Sequence, residues 1–414
     1  MEDCNPLEPL ASEGDLLERE EKPSTGLFAA GTVQSAIISL TAATMGSGVL
    51  ALPLAISNSG LVLGVVLMFI GLIAFTIAYN IVVHGLIISR QDTYITMVET
   101  LLGSTMRVLL EIGIVIELFG VACAYQTVVV TFVTDLMNQV FGITGDFFLA
   151  LNILVTILLC LGSMSHKMTA LASLTSMVIV SIIYICLLVI VQTPSYVEAN
   201  PDFWGNFQFF KVDSNIVDTI TLLCFSFNSV TRLPMIYTEL QNKSYKRMEK
   251  VVNVSLLLCT AFFILLGGFG YISYNYDMPG LVTQRPCEGL DWPMILGKTL
   301  FTIGLLANSM QTIYPLRGNI EEVIMRDVTN YSPVRFWSIN YTTILLVGIV
   351  ATLFPDAVGY FKILGGLLIG PIAILYPMLI SWVCNKSLKF NLAFSTAAIV
   401  LSIIGFISVF NTIF

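Results

Sequence analysis

Charge is what this chain has least of. Of 414 residues, 11% are Asp, Glu, Lys or Arg and 56% are hydrophobic, whereas a soluble globular domain carries about a quarter charged residues. A soluble fold is excluded on that ground. Histidine is scarcer still: His84 and His166 are the only two. They fall at the predicted inner ends of distant spans, so no His-rich metal centre is expected. The eight cysteines make no disulfide framework. Cys123, Cys160, Cys186, Cys224 and Cys259 lie in predicted spans, Cys4 and Cys384 on the predicted cytosolic side, and Cys287 alone on the other. No cluster of basic and aromatic residues marks a nucleic-acid surface. A Gly-x-Ser-x-Gly elbow, a His-Glu-x-x-His pair and a phosphate loop are all missing, so neither an enzyme nor a cofactor is expected.

Long apolar runs fill the space that charge vacates. They are continuous rather than alternating, which excludes a membrane β-barrel. Eleven stretches reach the roughly 20 residues that a bilayer crossing needs: 32–57, 60–84, 107–139, 147–165, 168–192, 215–238, 250–275, 293–315, 335–354, 358–383 and 391–412. The third is long enough to tilt or to extend beyond the bilayer. The expected fold is therefore an all-α polytopic membrane protein of 11 transmembrane helices. No loop-like linker divides the apolar part, so residues 31–414 read as one transmembrane domain.

Residues 1–30 read as a separate acidic tail on the cytosolic side. Its first 22 residues carry Glu2, Asp3, Glu8, Glu13, Asp15, Glu18, Glu20 and Glu21 against Arg19 and Lys22. With Pro6, Pro9 and Pro23 and no aromatic among these residues, it reads as disordered and solvated. It lacks the basic start and apolar core of a signal peptide. Placing the N-terminus in the cytosol puts 14 of the 19 basic residues on the inner side, as the positive-inside rule requires. The C-terminus then lies outside. Lys298 and Lys362 fall near outer span ends, where they are expected to snorkel.

Two spans are interrupted. The first contains Thr41, then Thr44-Met45-Gly46-Ser47-Gly48, with Pro53 behind. The sixth contains Phe225-Ser226-Phe227-Asn228-Ser229, with Pro234 behind. A helix broken inside a bilayer frees backbone groups that lipid cannot satisfy, so they must face protein, water or solute. Matching breaks in two halves of a chain point to a binding site between inverted repeats. In the first span, the amides after the break suit a carboxylate. The same small residues also read as a helix-packing seam. In the sixth, freed carbonyls and hydroxyls suit an ammonium. Phe225 and Phe227 either wall a pocket or face core or lipid.

Ionisable groups within spans are functional candidates. Arg232 follows the sixth-span break, and its expected partner is Glu117 in span three, as a gating or coupling pair or as a structural one. Glu117 shares a helical face with Gly113 and Gly120, which points it inward. A further reading makes Glu117 part of a site for cationic amino acids. Glu111 is expected to pair with Arg107 along the helix, and Glu239 with Lys243 at the surface. Asp135 is read as an entrance or interfacial charge.

At these residues the chain resembles a known family. The segment GSGVLALP, with Asn58-Ser59-Gly60 closing the span, looks like the first helix of the amino acid/auxin permease family, a branch of the amino acid–polyamine–organocation superfamily. FSFNSVTRLPMIYTEL, from Phe225 to Leu240, resembles its sixth. Ser244 to Ser255, with Met248 and Val251-Val252-Asn253, is similar to the start of its seventh, and Ile313-Tyr314-Pro315-Leu316-Arg317 to the inner end of its eighth. The resemblance covers residues 27–412. It implies a five-plus-five inverted repeat with broken helices 1 and 6 and one extra helix, moving small amino acids with protons or sodium. Carried over by position, Thr44, Met45, Gly46, Ser47 and Gly48 would hold the substrate carboxylate. Phe225, Ser226, Phe227 and Asn228 would hold its amino group and side chain. Sodium-coupled members carry an asparagine where this chain has Ala42 and a threonine where it has Asn308. The loss at Ala42 weakens a hard-cation site and favours proton coupling or exchange.

The resulting expectation is a secondary transporter of neutral amino acids, monomeric, in the plasma membrane or a vacuolar or lysosomal membrane. Thr41, Glu117, Arg232 and Asn308 are its coupling or gating candidates. The competing reading is an amino acid sensor with little flux.

Overall fold

The computed structural model describes residues 31–142, 147–163, 168–200, 202–275, 277–286, 290–325, 333–384 and 388–413. The acidic tail and His166 lie outside them. Among the described residues the elements are all helical. The first span is α1 (Val33–Thr44), a 3₁₀ turn (Ser47–Ala51) and α2 (Leu52–Ser59). Then follow α3 (Leu61–Ser89), α4 (Tyr94–Leu102), α5 (Ser104–Phe141), α6 (Phe148–Gly162), α7 (Met168–Glu198) and the short α8 (Phe203–Asn206). The sixth span is α9 (Ile216–Ser226), a 3₁₀ turn (Val230–Arg232) and α10 (Leu233–Glu239). After it come α11 (Tyr245–Ser273), α12 (Trp292–Met325), α13 (Pro333–Leu353), α14 (Ala357–Ile363), α15 (Tyr376–Cys384) and α16 (Leu388–Ile413).

Among the described residues seven helices are long and apolar enough to cross a membrane, or eight if the bent first pair counts as one span. Helix covers each of the eleven anticipated stretches, but α6, at 15 residues, is shorter than a full crossing. Large apolar side chains such as Ile70, Ile73, Leu154, Val180, Leu187 and Phe406 are exposed. An apolar belt of this extent is unsustainable in water and suits lipid.

Both interruptions are real, and they differ. The first span bends by 54° at its break. The sixth continues as one span, Ile216–Glu239, with Phe227, Asn228 and Ser229 lying between its two helical segments. Pro53 and Pro234 each stand in the first turn of the resumed helix, where a missing N–H costs nothing and the fixed φ favours a restart.

Two features depart from the sequence reading. α12 runs to Met325, beyond the expected end at 315, with Pro315 inside it. Arg317 is buried there, with Tyr314 and Phe336 under its guanidinium, so cation–π packing carries the helix past the proline. The tenth span is π-helical over Leu364–Ile369 and Pro371–Leu375. A Cβ added at Gly365 or Gly366 would collide with backbone of α9 or α16, so the glycines permit this close packing.

α12 packs along α5 and α7, while α11 packs on α1, α2, α3 and α7. Between them a buried polar cluster ties α5, α6 and α13. Gln126 donates to Asn152 at 2.7 Å and to Thr156 at 2.8 Å, and Asn152 donates to the Gly348 carbonyl at 2.8 Å. Each such bond contributes about 1 kcal/mol net and fixes helix rotation.

Candidate functional site

The two breaks face one another across a cavity of about 70 Å³. Ala43, Thr44, Gly46 and Gly48 line it from the first span. Phe225, Ser226, Asn228, Ser229, Thr231 and Arg232 line it from the sixth. α5 supplies Glu117, Leu118, Val121 and Tyr125, and α12 supplies Thr312. This is well below the roughly 300–1,000 Å³ of a usual small-molecule pocket, so the arrangement is a narrow one.

The backbone chemistry of the two sides is opposite. Met45 N–H still bonds back to Thr41, and Gly46 N–H to Thr44. No helical turn closes onto Ser47 or Gly48 from before the break, so their amides are free donors at the start of the resumed helix. In the sixth span no turn closes onto the carbonyls of Ser226 and Asn228, which leaves two free acceptors. One side therefore offers donors and partial positive charge, the other acceptors.

Tyr79, fully buried on α3, satisfies what remains of the sixth-span break. Its hydroxyl donates to the Phe227 carbonyl at 2.7 Å and accepts from the Ser229 N–H at 2.7 Å. Ser229 also shares a 2.8 Å hydroxyl–hydroxyl bond with Thr44, whose Oγ1 lies 2.8 Å from the Leu40 carbonyl. The two breaks are thus joined by one direct bond. Further out, Thr219 of α9 donates to the Ala55 carbonyl of α2 at 2.8 Å.

Asn228 Nδ2 donates to Glu117 Oε1 at 2.5 Å. Glu117 Oε2 and Asn228 Oδ1 are buried without a hydrogen-bond partner, and an unpaired buried acceptor costs about 1–3 kcal/mol. The expected Arg232–Glu117 ion pair is not formed. Asn228 stands closer and occupies the carboxylate, while Arg232 lies further along the sixth span and is largely exposed. Both charges still face the same cavity. Glu117 thus reaches the second break from α5.

Phe225 borders the cavity and stacks on Phe361 at 4.6 Å between centroids. Gly48 is where its ring fits: an added Cβ would sit 2.5 Å from Phe225 Cδ1. Phe227 points the other way. It stacks on Phe75 at 5.3 Å and meets Phe263 at 5.0 Å, so of the two readings left open Phe225 takes the pocket wall and Phe227 the core. Met45 and Ser47 are buried but do not line the cavity. Thr41 and Asn308 also lie off it, and Thr41 Oγ1, Ser47 Oγ and Asn308 Oδ1 are buried without hydrogen-bond partners.

Other membrane charges pair differently from expectation. Lys298 does not snorkel. It is 1% exposed and 3.3 Å from Asp135. Lys362 reaches Asp218 at 2.6 Å, and Ser408 donates to the same carboxylate at 2.8 Å. Arg107 meets Glu111 at 3.9 Å as expected, and also Glu99 and Glu322. No Glu239–Lys243 ion pair is present among the described residues.

The family model described as transmembrane amino acid transporter protein matches residues 29–414. The vacuolar amino acid transporter 7 of Saccharomyces cerevisiae is 23% identical over 70% of this chain and 59% of its own length. This chain therefore spans little more than half of that relative. The amino acid transporter AVT6E of Arabidopsis thaliana is 22% identical over 90% of this chain and 82% of its own. Among solved structures, MhsT in complex with L-phenylalanine superimposes with a TM-score of 0.54 at 14% identity, over 90% of this chain and 98% of that one. That likeness is one of fold.

Proposed function

The chain belongs to the transmembrane amino acid transporter protein family, and on that premise we propose that it moves neutral amino acids across its membrane by alternating access around the cavity between the two breaks. The observation that carries this reading is the opposition of free donors at Ser47 and Gly48 to free acceptors at Ser226 and Asn228. A zwitterion has the complementary charge separation. Its carboxylate sits against the Gly48 amide at the start of the resumed helix. Its ammonium sits against the Ser226 carbonyl, Asn228 Oδ1 and Glu117 Oε2. The side chain is left toward Phe225, Val121 and Tyr125. Because the cavity is small, binding an amino acid requires the half-helices to part, and the same movement opens one side and then the other.

Coupling is assigned to protons or to exchange. Glu117 faces the cavity with one oxygen unpaired, which suits a carboxyl that gains and loses a proton with each cycle. The relatives' vacuolar setting favours an acidic organelle membrane over the plasma membrane. The test is reconstituted flux of an amino acid panel with pH and sodium gradients varied independently. Neutral amino acids should accumulate with the pH gradient and ignore sodium. Accumulation that follows sodium alone would overturn the coupling, and no flux of any amino acid would overturn the transport reading.

A second reading, transport of cationic amino acids, is favoured by the same Glu117. The variant Glu117→Gln separates the two. It should abolish gradient-driven uptake of neutral substrates while sparing their exchange. If it instead removes lysine and arginine transport only, the carboxylate is a side-chain recognition group.

A further inference from the structure

A second concave site lies at the cytosolic end of the first span. It is a cleft of about 440 Å³ between the start of α1 (Thr32, Val33, Gln34) and the first turns of α11 (Lys246, Arg247, Lys250). Three cations gather there, and none forms an ion pair among the described residues. Two other cations differ: Arg107 has three carboxylate neighbours, and Arg335 lies 2.6 Å from Glu321. The nearest carboxylates in sequence, Glu239 and Glu249, pair with none of the cleft's cations. Arg247 Nε is moreover buried without an acceptor.

Helix polarity makes the cluster stranger. The cations occupy the N-terminal turns of a 29-residue helix, the end whose dipole is already positive and where anions are favoured. Cations concentrated at that end raise the local potential unless an anion occupies the cleft.

An anion is at hand in the same chain. The described backbone begins at Gly31, whose carbonyl accepts from Gln241 N–H at 2.9 Å, in the turn that leads into α11. Gly31 has φ +82, and a Cβ there would meet the Glu239 carbonyl at 2.9 Å, so the chain is held against the cleft's flank as it enters α1. Residues 1–22 carry eight acidic and two basic side chains, a net charge of −6. Glu21 lies ten positions before Gly31, a reach of up to about 33 Å when extended.

We propose that this cleft is the docking site of the chain's own acidic N-terminal segment, Glu13 to Glu21, whose carboxylates meet Lys246, Arg247 and Lys250. Tethering supplies an effective concentration of the order of millimolar, so even individually weak ion pairs keep the cleft occupied. Docking bridges α1 to α11 at the membrane's inner edge and restrains α1, the half-helix that ends at Thr44 in the cavity.

The experiment uses the full chain in phosphatidylcholine vesicles with Cys4→Ser, and Glu20→Cys paired with Lys246→Cys or with Lys250→Cys. Disulfide formation with both partners should run about tenfold faster than with Asp92→Cys, an exposed control position on the α3–α4 turn. It should fall to the control rate in about 0.5 M salt, where screening shortens to a few ångström. Neutralising Glu13, Asp15, Glu18 and Glu21 should have the same effect. Equal rates at all three positions would overturn the proposal. So would fast cross-linking that persists after neutralisation. Loss of the cross-link in phosphatidylserine-rich vesicles would overturn it too, because lipid headgroups would then be the occupant. None of these readouts depends on transport, so docking and the transport reading fail separately.

Discussion

At the residue scale, one hydroxyl decides whether the sixth-span break can exist in a membrane. Tyr79 donates a hydrogen bond to the Phe227 carbonyl and accepts one from the Ser229 N–H. Tyr79→Phe leaves two buried backbone groups unpaired, which costs about 1–3 kcal/mol each. A lower thermal unfolding temperature of purified protein is expected. Tyr125→Phe, whose hydroxyl makes no hydrogen bond among the described residues, should leave that temperature nearly unchanged. The two glycines of the first break should separate as well. At Gly46 an added Cβ meets only Tyr125 Oη at 3.6 Å, so Gly46→Ala should fold normally, while Gly46→Val fills the cavity and abolishes uptake. Gly48→Ala drives Phe225 off its seat and should impair uptake at unchanged surface level. Surface biotinylation with radiolabelled uptake reads both. Gly46 and Gly48 are legible as candidates because glycine is costly in a helix. Tyr79 is not, since nothing in a tyrosine amid an apolar run says which distant carbonyl it will cap.

At the element scale, the membrane charges work as clasps between helices. Lys298–Asp135 joins α12 to α5, and Lys362–Asp218 joins α14 to α9. Breaking a buried pair hurts most when the more deeply buried charge is left behind. Lys298 is 1% exposed and Asp135 is 24% exposed. Asp135→Ala should therefore destabilise more than Lys298→Met, by about 2 kcal/mol or more. Guanidinium-free thermal melts in the same detergent check the ranking, and the reverse order would count against a buried clasp. The spans that hold these residues are legible from apolar length alone, and the broken ones from glycine, serine and proline spacing. The partners are not, because register between α12 and α5 follows from side-chain packing across helices far apart in sequence. The π-helical stretch was missed for the same reason: Gly365 and Gly366 signal it only once α9 and α16 are known to press there.

At the scale of the whole molecule, the first span links three places. The start of α1 borders the basic cleft, its break forms half of the cavity, and α2 bonds α9 through Thr219. A segment that restrains α1 should therefore slow the cycle. Neutralising Lys246, Arg247 and Lys250 together is expected to raise the initial uptake rate several-fold without changing substrate preference. Neutralising the tail's carboxylates should produce the same increase, and combining the two should add nothing further. Additive effects would show that the two charge sets act apart.

Apolar length, the near-absence of charge and two glycine- and proline-marked interruptions determined the membrane class, the broken helices and the polarity of the backbone groups they free. Those are local properties, set by hydrophobicity and φ/ψ preference over a few residues. Tertiary structure alone decided that Glu117 answers to Asn228 rather than Arg232, that Phe225 faces the cavity while Phe227 turns into the core, and that Lys298 and Lys362 are clasps. Each of those outcomes is a choice among partners brought together from distant parts of the chain, and only close packing selects between them.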